Sequence, residues 1–215
     1  IEKMDIPYID LKSQFKTLSP LIKKRINKVL EHGQYIMGPE VDELEKKLAT
    51  YTGSKHCITV GSGTDALMLS LKSLGVKEGD EIITTPYTFY ATIGAIVTLG
   101  AKPIFVDIQE DYNIDPTLIE KAITKKTKAI LPVHWSGRIC DMKKIKLISK
   151  KYKIPIVEDA CHAIKAKFNG KFAGTFGEYG CFSLHPLKNL NVWGDGGYII
   201  AKNKKNLKKI LLLRN

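Results

Sequence analysis

Short apolar runs alternate with longer amphipathic stretches along nearly the whole chain, and this alternation restricts the fold more than any single motif does. Runs at 56–60, 81–85, 103–107, 128–134 and 155–158 read as strands. Apolar spacing between them predicts helices over 64–74, 90–99, 115–124 and 141–153. Upstream, Ser19-Pro20 pairs an N-cap with proline at the first helical position, which predicts a helix to about His32 that stops at Gly33. Pro39 opens another helix, with Val41, Leu44 and Leu48 on one face. Downstream, Asn169-Gly170 predicts a hairpin turn, and strands follow at 180–184 and 198–201. Strands separated by helices build a parallel sheet, so the expected class is α/β, a mostly parallel sheet with helices on both faces. The expected organisation is an N-terminal segment and helix over 1–35, followed by one large domain over 36–215.

Such a fold needs a chain able to bury a core. Of 215 residues, 44% are hydrophobic and 26% charged, the balance of a soluble globular protein rather than a disordered one. No run of about 18 apolar residues is present to cross a bilayer. The first residues, Ile1-Glu2-Lys3-Met4-Asp5, carry no secretory apolar core. The expectation is a cytoplasmic protein with no membrane partner. Cys57, Cys140, Cys161 and Cys181 are scattered without CxxC spacing, which argues against a metal site and against a disulfide framework. The formal charge is +12, but the excess is lysine spread along helices, as at Lys143-Lys144, Lys150-Lys151 and Lys204-Lys205. With no Arg-rich arm or nucleic-acid-binding motif, a solvated basic surface is the stronger reading and no nucleic-acid partner is expected. The same field would steer an anionic substrate such as a nucleotide diphosphate.

Parallel sheets bind ligands at the carboxyl ends of their strands. Five groups of chemically capable residues fall there: 61–64, 86–90, His134, 159–162 and 183–188. The last is the most informative. Ser183-Leu184-His185-Pro186-Leu187-Lys188 followed by Gly194-Asp195-Gly196-Gly197 sets one lysine in a polar loop between two apolar strands. An amine partly withdrawn from water there is freed for carbonyl chemistry, although most lysines in so basic a chain are solvated surface charges. In Ile156-Val157-Glu158-Asp159-Ala160-Cys161-His162 an apolar strand runs into a carboxylate, and Asp159 alone reads equally well as a helix N-cap. In Gly61-Ser62-Gly63-Thr64 a glycine turn precedes a helix; it is either a tight turn or an anion cradle of free backbone N–H groups at Gly63 and Thr64. Phe89 by itself reads as core and His162 as a satisfied structural histidine. Taken together, a lysine for a Schiff base, a carboxylate for a pyridinium nitrogen and a phosphate cradle are what pyridoxal phosphate chemistry requires.

Read in order, these motifs resemble the DegT-type family of sugar aminotransferases, which have the fold type I architecture of pyridoxal phosphate enzymes. The resemblance starts at Ile6-Pro7-Tyr8-Ile9-Asp10-Leu11 and Gly38-Pro39-Glu40-Val41. It continues through 61–67, Pro86-Tyr87-Thr88-Phe89, Pro132-Val133-His134, 158–163 and 183–197. It implies that Lys188 forms the Schiff base with the cofactor and then shuttles the proton. It implies that Asp159 holds the pyridine nitrogen protonated, that His162 contacts the ring's phenolate oxygen and that Phe89 stacks on the ring. Gly63, Thr64 and Ser183 would hold the phosphate, and His134 would lie in the active site.

The implied reaction is ping-pong transfer of an amino group, from L-glutamate, to a keto group of a nucleotide-linked sugar. A branch of the family that removes a sugar hydroxyl has His in place of the lysine, and this chain has Lys188. The 188–196 wording resembles members acting on 3-keto more than 4-keto sugars. The resemblance also implies a homodimer and a smaller C-terminal domain beyond residue 215, so that the chain reads as one part of a longer protein. A catalytically inactive cofactor-binding regulator or scaffold is the alternative, and the pairing of Lys188 with Asp159 speaks against it.

Overall fold

The computed structural model describes residues 7–214. Ile6, the opening residues of the 1–35 segment and Asn215 lie outside the described residues. The chain divides into two compact units, Ile1–Leu44 and Glu45–Asn215.

In the first unit, helix α1 (Leu11–His32) begins well before Ser19, and Pro20 lies inside it. The start is supplied by Asp10, whose carboxylate accepts from Ser13 N at 3.0 Å and Ser13 Oγ at 2.5 Å. Ser19-Pro20 therefore does not cap a helix. Pro20 lacks a backbone donor within a helix already nucleated upstream, which costs α1 one hydrogen bond without ending it. Gly33 ends α1 as expected, in the left-handed region, with its N–H on Val29 O at 3.0 Å. Arg25 grips Glu43 through both guanidinium nitrogens, and Glu40 meets Lys28 and His32.

Helix α2 (Pro39–Tyr51) starts at Pro39 as expected and leads to the second unit. There the strands are β1 (Cys57–Val60), β2 (Glu81–Thr84), β3 (Lys102–Phe105), β4 (Thr127–Ile130), β5 (Val157–Asp159), β8 (Tyr179–Ser183) and β9 (Gly197–Ala201). A small hairpin, β6 (Lys167–Phe168) with β7 (Lys171–Phe172), turns at Asn169-Gly170 with φ of 48° and 76°, the primed turn expected for that pair. The intervening helices are α3 (Gly63–Ser73), α4 (Tyr90–Thr98), α5 (Pro116–Ala122) and α6 (Met142–Tyr152), and α7 (Lys204–Arg214) follows β9.

Strands β1-β9-β8-β5 and β3-β2-β4 are hydrogen-bonded neighbours. Parallel bridges Ile130↔Ile156 and Val133↔Asp159 set β4 beside β5, so the two sets join edge to edge. β2 is parallel to β3 and β4, and β5 to β8. β9 runs against both β1 and β8, making it the reversed member of a mostly parallel sheet. Strand β4 stops at Ile130 rather than His134, because Pro132 has no N–H to extend the ladder.

Alternation along the strands sorts side chains into two cores. Ile82, Ala129, Cys181 and Ile199 face Leu67 and Leu71 of α3, Ile96 of α4 and Ile210 of α7. Their neighbours Ile83, Ile130, Phe182 and Ile200 face Leu48 of α2, Ile119 of α5 and Met142 and Ile145 of α6. Helices thus cover both faces, and each fully buried Ile or Leu contributes about 1.5–3 kcal/mol. Helix α7 has no counterpart among the predicted elements. Its lysines break the apolar stripe, and only Asn206 and Ile210 are buried. Among the described residues no helix is long and apolar enough to cross a membrane.

Candidate active site

A cleft of about 390 Å³ opens where β1, β5 and β8 end. Gly63, Thr64, Phe89, Asp159, His162, Ser183 and Lys188, the residues given cofactor roles from the sequence, all line it, as does His134.

The turn after β1 leads into α3 through Ser62, whose Oγ accepts from Asp65 N at 3.0 Å. Ser62 O accepts the first helical bond, from Ala66 N at 3.1 Å. The N–H groups of Gly63 and Thr64 are among the donors that a helix cannot satisfy internally, and the positive end of the helix dipole adds to them. A Cβ on Gly63 would lie 2.8 Å from Ser183 Cβ and 3.1 Å from Cys161 Sγ, and one on Gly197 would collide with Ser62 O. Those two glycines let three segments meet: the turn after β1, the end of β8 and the start of β9.

Asp159 ends β5 and is only 6% exposed. Its Oδ2 accepts from Thr92 Oγ1 at 2.8 Å and its Oδ1 from Cys161 N at 3.2 Å. No helix follows it, so the N-cap reading of Asp159 does not hold. Burial in the first place, and Asp159 after it, push the Cys161 thiol well above its ordinary pKa, so it stays protonated. The His162 ring packs beside Trp135, with centroids 5.3 Å apart. Burial and then the Lys188 charge hold the His162 imidazole below its ordinary pKa, with Asp159 opposing.

Lys188 lies half-buried in the loop joining β8 to β9. That loop is closed by Leu184 N donating to Gly196 O and Val192 N to Leu184 O, at 2.8 and 2.9 Å. Within it, Lys188 N donates to His185 O at 2.8 Å and Asn191 Nδ2 to Lys188 O at 3.0 Å. Ser183 Oγ accepts from His185 N at 3.2 Å. Phe89 precedes α4 and is 56% exposed, its ring centroid 4.4 Å from that of Tyr90. It is therefore not a core residue.

His134 reaches the cleft wall, yet its ring is fully buried and engaged on both sides. Nδ1 accepts from Cys140 N at 3.3 Å, which leaves the ring proton on Nε2, 2.9 Å from Glu158 Oε2. Glu158 also accepts from the N–H groups of Gly174, Phe176 and Gly177 at 2.8, 2.6 and 2.6 Å. His134 thus braces the wall instead of offering a free imidazole. Thr88, from the 86–90 group, also lines the cleft, and so do Thr92 and Trp135, which were not anticipated. The i, i+4 spacing of Thr88 and Thr92 was the available signal for Thr92.

Chemically, the cleft combines a helix N-terminus suited to an anion, a nearly buried carboxylate and an amine. Residues 17–215 match the DegT/DnrJ/EryC1/StrS aminotransferase family. A UDP-2-acetamido-2-deoxy-3-oxo-D-glucuronate aminotransferase from Pseudomonas aeruginosa is 46% identical, covering 92% of this chain and 55% of its own. A Geobacillus stearothermophilus relative named a pleiotropic regulatory protein is 43% identical, over 98% of this chain and 57% of its own. S. venezuelae DesV, solved in complex with a ketimine intermediate, superposes with a TM-score of 0.95 at 37% identity, covering 99% of this chain and 58% of that one. The chain therefore spans a little over half the length of these relatives.

Proposed function

The chain belongs to the DegT/DnrJ/EryC1/StrS aminotransferase family, and from that premise we propose that its protein is a pyridoxal phosphate-dependent aminotransferase acting on nucleotide-linked sugars. The observation that carries the reading is the convergence of Lys188, Asp159 and the α3 N-terminus on one cleft. The residues fit the cofactor. Free N–H groups at Gly63 and Thr64 beside Ser183 suit a dianionic phosphate, and a shielded carboxylate suits a cationic ring nitrogen.

Pyridoxal phosphate, when bound, supplies a carbonyl for an amine and an electron sink that makes the adjacent C–H acidic. Gly63, Thr64 and Ser183 would hold its phosphate, Phe89 its ring face, His162 its phenolate oxygen and Asp159 its ring nitrogen. Lys188 would supply the amine that holds the carbonyl and would afterwards take and return the proton at the substrate carbon. A neutral His162, kept so by burial and by Lys188, donates a hydrogen bond without adding charge beside that amine. The donor is L-glutamate and the acceptor a nucleotide sugar with a 3-keto group; the Pseudomonas relative's name supports the 3-keto position. The working protein is a cytoplasmic homodimer.

The Geobacillus relative's name favours a second reading, a cofactor-binding regulator without turnover. The experiment that separates these begins with the visible spectrum after adding pyridoxal phosphate, then borohydride reduction and peptide mapping. A stable adduct on Lys188 is expected, together with amination of a 3-keto nucleotide sugar. An adduct without turnover of any keto sugar selects the regulator. No adduct on folded protein rejects both, and amination of the 4-keto sugar alone rejects the 3-keto assignment.

A further inference from the structure

Thr92 is 1% exposed in the first turn of α4. A buried helical threonine ordinarily satisfies its hydroxyl on a carbonyl of the preceding turn. This one reaches out of its helix to Asp159 Oδ2, 67 positions away in sequence, at 2.8 Å. Thr88 Oγ1 lies 2.7 Å from Thr92 Oγ1. An ionised carboxylate only accepts, so Thr92 donates to Asp159, and its single proton being engaged there, Thr88 donates to Thr92. The two hydroxyls form a chain with one direction, from the cleft rim to the carboxylate.

The same chain fastens a second element. Phe89 occupies the N-cap position of α4 but makes no side-chain capping bond. The bond from Thr88 to Thr92 spans that uncapped start, beside the backbone contact from Thr92 N to Phe89 O at 3.1 Å. Loss of Thr92 Oγ therefore leaves the Asp159 carboxylate held by Cys161 N alone and loosens the segment that carries Phe89.

We propose that Thr92 is a positioning residue for the cofactor: opposite the bond from Cys161 N it completes the hold on the Asp159 carboxylate and, through Thr88, ties the Phe89 segment to that same carboxylate. This rests on reading the cleft as a pyridoxal phosphate site. The group that meets the cofactor's edge and the ring that covers its face are thereby set by one hydrogen-bonded chain.

The test compares Thr92→Val, which keeps the shape and removes the donor, with Thr92→Ser, which keeps the donor. Pyridoxal phosphate affinity is read by absorbance titration, and the pH midpoint of the visible band of the loaded protein is read alongside. Near-UV circular dichroism checks the fold. Thr92→Val is expected to weaken cofactor binding on the order of tenfold or more and to move the band midpoint, with Thr92→Ser close to the unsubstituted protein. Thr88→Val, at the half-buried outer end, should shift both readouts in the same direction but less. Unchanged affinity and midpoint in Thr92→Val overturn the proposal, and so does equal impairment in the Val and Ser variants, which would mark a packing effect. Failure of the unsubstituted protein to take up cofactor overturns the cofactor reading itself, and this proposal with it.

Discussion

His134 Nε2 lies 2.9 Å from Glu158 Oε2 with both side chains fully buried. The carboxylate is ringed by donors alone: this imidazole and the N–H groups of Gly174, Phe176 and Gly177. Glu158→Ala strands all of them, and each unsatisfied buried donor costs about 1–3 kcal/mol. We expect a loss of about 3 kcal/mol or more, read as a lower urea midpoint. A loss below about 1 kcal/mol would mean that water or a shifted loop replaces the carboxylate.

Gly63→Ala should have the opposite sign from the helix-propensity rule. Alanine in place of glycine ordinarily favours a helix by about 1 kcal/mol. Here the new methyl meets Ser183 Cβ at 2.8 Å, and little around it is free to yield. The variant should melt below the unsubstituted protein and bind pyridoxal phosphate more weakly. Retained affinity with a raised melting temperature would contradict the close approach.

Phe89→Ala should separate binding from stability. The ring is 56% exposed, so folding should change by no more than about 0.5 kcal/mol. Cofactor affinity should nonetheless fall, since a stacking face is lost. An equilibrium titration beside a thermal melt decides this, and unchanged affinity would remove Phe89 from the site.

The pKa of His162 is held below its ordinary value of 6.5 by burial and by Lys188. As pH falls, the unfolded chain therefore takes up this proton first, so the fold loses stability once pH drops below about 6.5. Above that value the contribution is fully present. The unsubstituted protein should lose stability on acidification more steeply than His162→Gln. In an NMR titration, Lys188→Met should raise the His162 midpoint by removing the facing positive charge. A midpoint that stays put would exclude the electrostatic coupling.

Much of the sheet was legible because strands covered on both faces read as short apolar runs, with Ile82 and Ile83, and Ile199 and Ile200, buried in opposite cores. Gly63, Thr64, Asp159 and Lys188 were legible because a glycine turn, a strand-end carboxylate and a loop lysine each carry local signals, whereas Phe89, His162 and Ser183 rested on the family resemblance. Other features depend on partners far apart in sequence. Nothing near Glu158 announces that the 174–177 turn will wrap its carboxylate. Nothing near Thr92 announces Asp159. Pro20 misled because proline marks a helix start more often than a helix interior, and the Asp10 cap that decided the matter lay upstream. In α7 the lysines hid an apolar face that buries little more than Ile210.

The reversed direction of β9 has a consequence for how the molecule tolerates change. A parallel strand in its place would need a crossover that carries the chain back along the sheet before it could pair. Instead the lysine sits on a hairpin, tied at its base by Leu184 to Gly196 and to Val192. The Lys188 amine thus inherits its coordinates from one adjacent strand pair. Substitutions can accumulate at the distant β3 edge, and among the surface lysines, without displacing Lys188 from the cleft.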